Sequence, residues 1–142
     1  MTGCNSPHPS DCNKELPPVA QRGLELFNAR QYFLAHEALE KAWLEERGPI
    51  RDLYKGILQA GVTYLHIQRG NYRGALKVYD RAARYLAQYP DNCCGIDVAQ
   101  LRIDLEAAIT EVKRLGPERM NQFDPGLFKP VIYSVKTTNS AS

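Results

Sequence analysis

Four residues recur forty positions apart, and this repeat constrains the fold more than any other feature. Tyr32, Ala35, Leu39 and Ala42 return as Tyr72, Ala75, Tyr79 and Ala82. Residues three and four apart share one face of an α-helix, so each copy lays a tyrosine and small residues along a single stripe. Small side chains let two antiparallel helices approach closely. A short turn leads into each tyrosine: Gly70-Asn71 in the second copy, and Asn28 to Gln31, which lacks the glycine, in the first. The chain is expected to fold as helical hairpins.

The remaining periodicity fills in the architecture. Pro17-Pro18 suits the opening of a helix, and Val19 to Phe27 carry Ala20, Leu24 and Phe27 on one face. A second helix runs from about Tyr32 to Arg47 and ends at Gly48-Pro49. A third spans about Ile50 to Arg69, with Leu53, Tyr54, Ile57, Leu58, Gly61, Val62 and Leu65 on its apolar face. A fourth runs from Tyr72 to Tyr89, stopped by Pro90-Asp91-Asn92, and Asp97 caps a fifth that Gly116-Pro117 ends. From Met120 the helical period is lost, yet Phe123, Leu127, Phe128, Val131 and Ile132 are apolar. That segment is expected to lie as an extended strap over the bundle, with a turn at Asp124-Pro125-Gly126. The turn-Tyr-x-x-Ala units resemble the tetratricopeptide helical hairpin. Two units are fewer than an open solenoid needs, so the expected fold is all-α: a compact five-helix bundle of two such hairpins, a closing helix and the strap. Residues 1–16 are expected to be a flexible arm, 17–136 one helical domain, and 137–142 a disordered tail.

Composition bounds the function classes. The 142 residues are 44% hydrophobic and 24% charged, with a net charge of +2, ordinary values for a globular domain with a real core. The charge is too mild and too mixed to point to nucleic acid. No apolar run approaches the roughly 20 residues of a membrane span, and no basic-then-apolar leader is visible at Met1 to Asn13. A cytoplasmic address is the default expectation, and with it free thiols rather than disulfides at Cys4, Cys12, Cys93 and Cys94. Cys4-x3-His8-x3-Cys12 lacks the spacing of a common zinc site. Exposed Tyr and Leu on the fourth and fifth helices make a homodimer plausible.

The strongest chemical signal is His36-Glu37-x-x-Glu40 in the second helix. His36 and Glu40 are four apart, about 40° on the wheel. Ala35, Leu39, Tyr32, Ala42 and Trp43 fall on one side of His36, and Phe33 and Leu44 on the other. A carboxylate in an apolar stripe is costly unless paired, hydrogen-bonded or bound to metal. In the helical zinc-protease pattern two histidines are ligands and the intervening Glu is the base. Here the second ligand would be a carboxylate, which favours a harder divalent metal. His66 of the antiparallel third helix is the expected third ligand, with Glu37 or a metal-bound water as base, and Gln59 beside it. Alternatively His36, Glu40, Gln59, His66 and Arg51 satisfy one another as a buried polar cluster that fixes helix register. A metal-free pocket lined by Trp43, Tyr32 and Tyr64 is the third possibility, although aromatics at this spacing are more often core.

Phe27-Asn28 with Tyr32-Phe33, then Ala35-His36-Glu37-x-x-Glu40-x-x-Trp43, forms one motif. Arg51-x-Leu53-Tyr54-x-Gly56-x-Leu58-Gln59-Ala60, followed by Tyr64-x-His66-x-x-Arg69-Gly70-Asn71-x-x-Gly74-Ala75, forms a second. Together these resemble the domain-of-unknown-function family three-hundred-and-nine. The resemblance implies a helical bundle and a loose label of predicted metal-dependent hydrolase, itself resting on the His-Glu pattern. Leu34 and Lys55 stand where that family often has Glu and Gln. Three readings follow: a helical protein with a polar site that is structural or ligand-binding, a divalent-metal-dependent hydrolase, or a tetratricopeptide-like interaction module.

Overall fold

The computed structural model describes residues 9–135. Five helices dominate them: α1 (Pro18–Asn28), α2 (Tyr32–Glu45), α3 (Arg51–Gln68), α4 (Tyr72–Leu86) and α5 (Val98–Leu115). The fold is all-α apart from a hairpin of two-residue strands, β1 (Asn92–Cys93) and β2 (Ile96–Asp97). α1, α2 and α3 each pack extensively on the next helix, and α5 closes the bundle with lighter contact to α4. The repeated stripe explains this. Tyr32, Ala35, Leu39 and Ala42 are all buried, as are Ala75 and Ala82. Gly56 allows the closest approach of α3 to α4, since a Cβ there would stand 2.8 Å from Leu86 Cδ2 and 3.1 Å from Tyr85 Cβ.

Both hairpin turns close the same way. In the first, Gln31 N donates to Leu26 O and Arg30 N to Phe27 O; in the second, Asn71 N donates to His66 O and Gly70 N to Ile67 O. These are paired Schellman closures. Gly70 takes φ +70°, the left-handed conformation such a turn requires, and Arg30 takes φ +62° without a glycine's freedom. The fourth helix ends at Leu86, three residues before the expected Tyr89: Pro90 has no N–H to donate to the Leu86 carbonyl, and Arg102 of α5 donates to the carbonyls of Leu86 and Tyr89 instead (2.9 and 3.1 Å). The Tyr89 hydroxyl donates to Pro49 O at 2.6 Å, which ties that end to the α2–α3 connector.

The C-terminal segment lies over the bundle with Phe123, Phe128 and Val131 buried. Two 3-10 turns, Met120–Gln122 and Pro125–Leu127, break its extended course. Asn28 grips it, donating to Val131 O (3.0 Å) and accepting from Val131 N (2.8 Å). Beyond that the strap pairs with the hairpin, Asp97 N to Ile132 O and Ser134 N to Gly95 O.

The cysteines depart from expectation. Cys12 and Cys93, 81 residues apart, are joined in a disulfide. The described part of the arm, which the sequence leads one to expect to be flexible over 1–16, carries local structure. Pro9–Asn13 form a 3-10 turn, and Leu16 is buried. The bond seats the arm on β1, where Cys94 N donates to Cys12 O at 2.6 Å. Cys94 is a free buried thiol. Cys4, His8 and the expected tail at 137–142 lie outside the described residues.

Candidate functional site

His36 and Glu40 come from the middle of α2, four residues apart, and face each other with Nε2 and Oε1 3.7 Å apart. They do not sit in the core. Their side chains keep 34% and 46% of their exposure, which corrects the expectation of a buried polar centre. The arc that the wheel marks as apolar is only half covered. Tyr32, Ala35, Leu39 and Ala42 face α1 and α3, while Phe33 and Leu44 stay open to solvent. The His36 ring stacks on Phe33 with centroids 6.2 Å apart. Its inner nitrogen, Nδ1, is buried without a hydrogen-bond partner among the described residues. Glu37 is exposed on the outer face.

His66 is engaged elsewhere. It ends α3 at the turn into α4, where Asn71 Oδ1 caps the helix by accepting from Gly74 N (3.0 Å). The amide nitrogen of Asn71 therefore points at His66 Nδ1, 3.1 Å away. Nδ1 must accept, so the proton sits on Nε2 in the neutral ring. Burial, and then the neighbouring Arg69, push the His66 pKa below its ordinary value, which agrees with that neutral form. Among the described residues no three His, Cys, Asp or Glu side chains are placed to hold a metal ion together. The donors present, one histidine with one carboxylate, do not fit a three-ligand hydrolase centre.

The residues expected to accompany the pair separate into two groups. Tyr32 and Tyr64 belong to the core, in a ring cluster with Phe27 and Phe128. Desolvation raises the Tyr32 hydroxyl to about 12 and the Tyr64 hydroxyl further still. Trp43, Arg51 and Gln59 instead lie on a second face, formed by the outward stripe of α3. Arg51 donates from Nε to Trp43 O (3.1 Å), and its guanidinium lies 4.0 Å from the centre of the Trp43 ring. Lys55 Nζ stands 4.6 Å from the same ring. One turn further, Gln59 borders a cleft of about 360 Å³ with Arg81, Arg84, Tyr85 and Gln88 of α4 and its end. No carboxylate lines that cleft.

Lys55, Arg81, Arg84, Tyr85 and Gln88 are the members that sequence reasoning missed. Arg81 and Arg84 share a helix face, which is visible in the sequence. That this face meets Gln59 depends on the α3–α4 register, which Gly56 and Gly74 fix only in three dimensions. No helix among the described residues is long and apolar enough to cross a membrane.

An uncharacterized protein of Aquifex aeolicus (strain VF5) is 30% identical over 84 residues, covering 58% of this chain. The chain spans only 25% of that relative's length. Residues 20–78, which run from within α1 into α4 and carry both paired motifs, match the family described as Domain of unknown function (DUF309).

Proposed function

We propose that the protein is a helical-hairpin binding module of tetratricopeptide-like form, with the outward stripe of α3 as its recognition face and an acidic segment of a partner protein as its ligand. The observation that carries this reading is the set of four cations along that face. Arg51, Lys55, Arg81 and Arg84 form no ion pair among the described residues. Arg30, Arg47, Arg69, Arg73 and Arg119 are likewise outside the ion pairs among the described residues, so what marks this face is the convergence of four cations beside Gln59 and Trp43, not their lack of partners. Arg81 and Arg84 are neighbours on one helix and repel mildly, so an anion between them relieves the repulsion. Guanidinium forks match carboxylates in pairs, and Gln59 and Gln88 add neutral donors. At the other end of the stripe Arg51 and Lys55 lie against the half-buried Trp43 ring, whose Nε1 donates to Asp52 Oδ1 at 3.4 Å.

Trp43 is the chain's single tryptophan and reports on its own site. Titrating the protein with an oligoglutamate peptide at low salt should change its emission saturably. Reversing Arg81 and Arg84 to Glu together should weaken binding about tenfold or more, and added salt should weaken it in the wild type. An unchanged emission throughout the wild-type titration overturns the reading. So does a stoichiometric divalent metal in untagged protein that is lost in both His36→Ala and Glu40→Gln, a result that returns the molecule to the metal-dependent hydrolase reading.

A further inference from the structure

The Cys12–Cys93 disulfide and the neighbouring Cys94 thiol lie where the arm crosses the hairpin. Cys93 is fully buried, and Cys94 is a buried free thiol. Cys12 is half-buried and, unlike Cys93, lines a cleft of about 160 Å³ between the arm, the hairpin loop and the strap, bordered also by Leu16, Asn92, Cys94, Gly95 and Ser134. The two ends of the disulfide therefore differ in access. One borders an opening, and the other is closed off by the core.

We propose that the Cys12–Cys93 disulfide is a thiol–disulfide exchange site, entered by a dithiol at Cys12, whose opening releases the arm at residues 9–16 from the bundle. A thiolate of the dithiol attacks Cys12 Sγ and forms a mixed disulfide there, while the bond to Cys93 breaks and Cys93 leaves as a thiolate that takes up a proton. The second thiol of the same reagent then attacks the reagent's own sulfur in the mixed disulfide and expels Cys12. Two electrons pass from the dithiol to the cysteine pair. The dithiol becomes a disulfide, and its two protons end on Cys12 and Cys93.

Cys94 is not the attacker. Its Sγ is turned to the Asp11 carbonyl, to which it donates at 3.8 Å, and burial pushes the thiol up to about 11, so little thiolate forms near neutral pH. Apart from the disulfide the arm is lightly held. Lys14 pairs with Glu46 at 3.3 Å, with half of the lysine side chain exposed, an arrangement that is weak in water. Gln21 Nε2 donates to Leu16 O, and Cys94 N to Cys12 O. Cys12 lies on the arm and Cys93 in β1, both outside α1 to α4, so opening the bond leaves the packing of the two helical hairpins in place.

The test uses the full chain purified without reductant. Addition of dithiothreitol should lower Tm by about 10 °C, expose the Lys14–Glu15 bond to trypsin and leave the helical circular dichroism intact at room temperature. Oxidised dithiothreitol should restore all three. Cys12→Ser should behave as the reduced protein in either buffer, and Cys94→Ser should still switch. With glutathione as a monothiol and iodoacetamide as the trap, peptide mapping should place the mixed disulfide on Cys12 and the alkyl group on Cys93. The proposal is overturned if Lys14 stays protected under reduction, if neither sulfur reacts until the helices unfold, or if the two labels are reversed.

Discussion

The two hairpin turns have the same backbone and opposite uses for it. Each closes its preceding helix with the same pair of hydrogen bonds, and each starts the next helix four residues before an alanine, Ala35 N to Gln31 O and Ala75 N to Asn71 O. In the first turn Asn28 reaches away from the helices and holds both backbone groups of Val131. In the second, Asn71 turns inward on its own helix, caps it through Gly74 N and meets His66. The first turn is a mooring for a distant segment, while the second is a self-contained cap. The repeat thus preserves a hairpin geometry and leaves the turn side chains free to diverge.

Removing each asparagine separates the two uses. Asn28→Ala leaves the N–H and C=O of buried Val131 without partners, at about 1–3 kcal/mol for each orphaned group. The expected loss is about 2–4 kcal/mol in denaturant unfolding, with faster amide exchange along residues 128–134. Asn71→Ala removes one helix cap, worth about 1 kcal/mol, and should leave exchange in the strap unchanged. Equal losses in the two variants would erase the distinction.

The parts of the molecule legible in the sequence are those whose partners are near in the chain or fixed by period. Tyr32, Ala35, Leu39 and Ala42 declare a helix and its buried face, and Asp97 declares a cap that the structure places on Gln100 N at 2.9 Å. The strap was legible because Phe128 and Val131 are too apolar to stand free. The hidden parts depend on which element covers which. Phe33 and Leu44 widen the apolar arc on a helical wheel, but no helix lies over them, at 53% and 62% exposure. His36 and Glu40 are therefore at a border rather than in the core. Arg51 is drawn to Trp43 rather than to His36 because the α2–α3 connector folds α3 back beside the end of α2. The Cys12–Cys93 bond spans 81 residues, and neither a polar arm nor a loop carries a periodicity that could pair them.

The second turn, unlike the first, contains a titrating group. The His66 pKa lies below its ordinary value in the folded protein, so the unfolded chain binds the proton more readily. Above about pH 6.5 both states are neutral and the contribution to stability is whole. As pH falls through that value the unfolded chain protonates first and stability declines, until the folded pKa is also passed. Protonation puts an N–H on Nδ1 facing the Asn71 amide, which costs that contact. His66→Gln keeps an acceptor without a charge, so its stability should fall less than that of the wild type between pH 7 and pH 5. Parallel curves would place the sensitivity in another group.

The smallest effect concerns the residue that replaces glycine. Arg30 holds a left-handed backbone that costs a non-glycine residue about 1–2 kcal/mol. Arg30→Gly relieves this, but it adds about 0.5–1 kcal/mol of freedom to the unfolded chain. It also removes a guanidinium 5.8 Å from the Phe128 ring, worth about 0.5 kcal/mol when exposed. The expected net is a gain of roughly 0.5 kcal/mol or less. Gly70→Ala, which forces the same strain into the other turn, should lose about 1 kcal/mol. A loss on Arg30→Gly as large as that on Gly70→Ala would mean that the ring contact, and not the backbone, decides the first turn, and that Arg30 serves the strap together with Asn28.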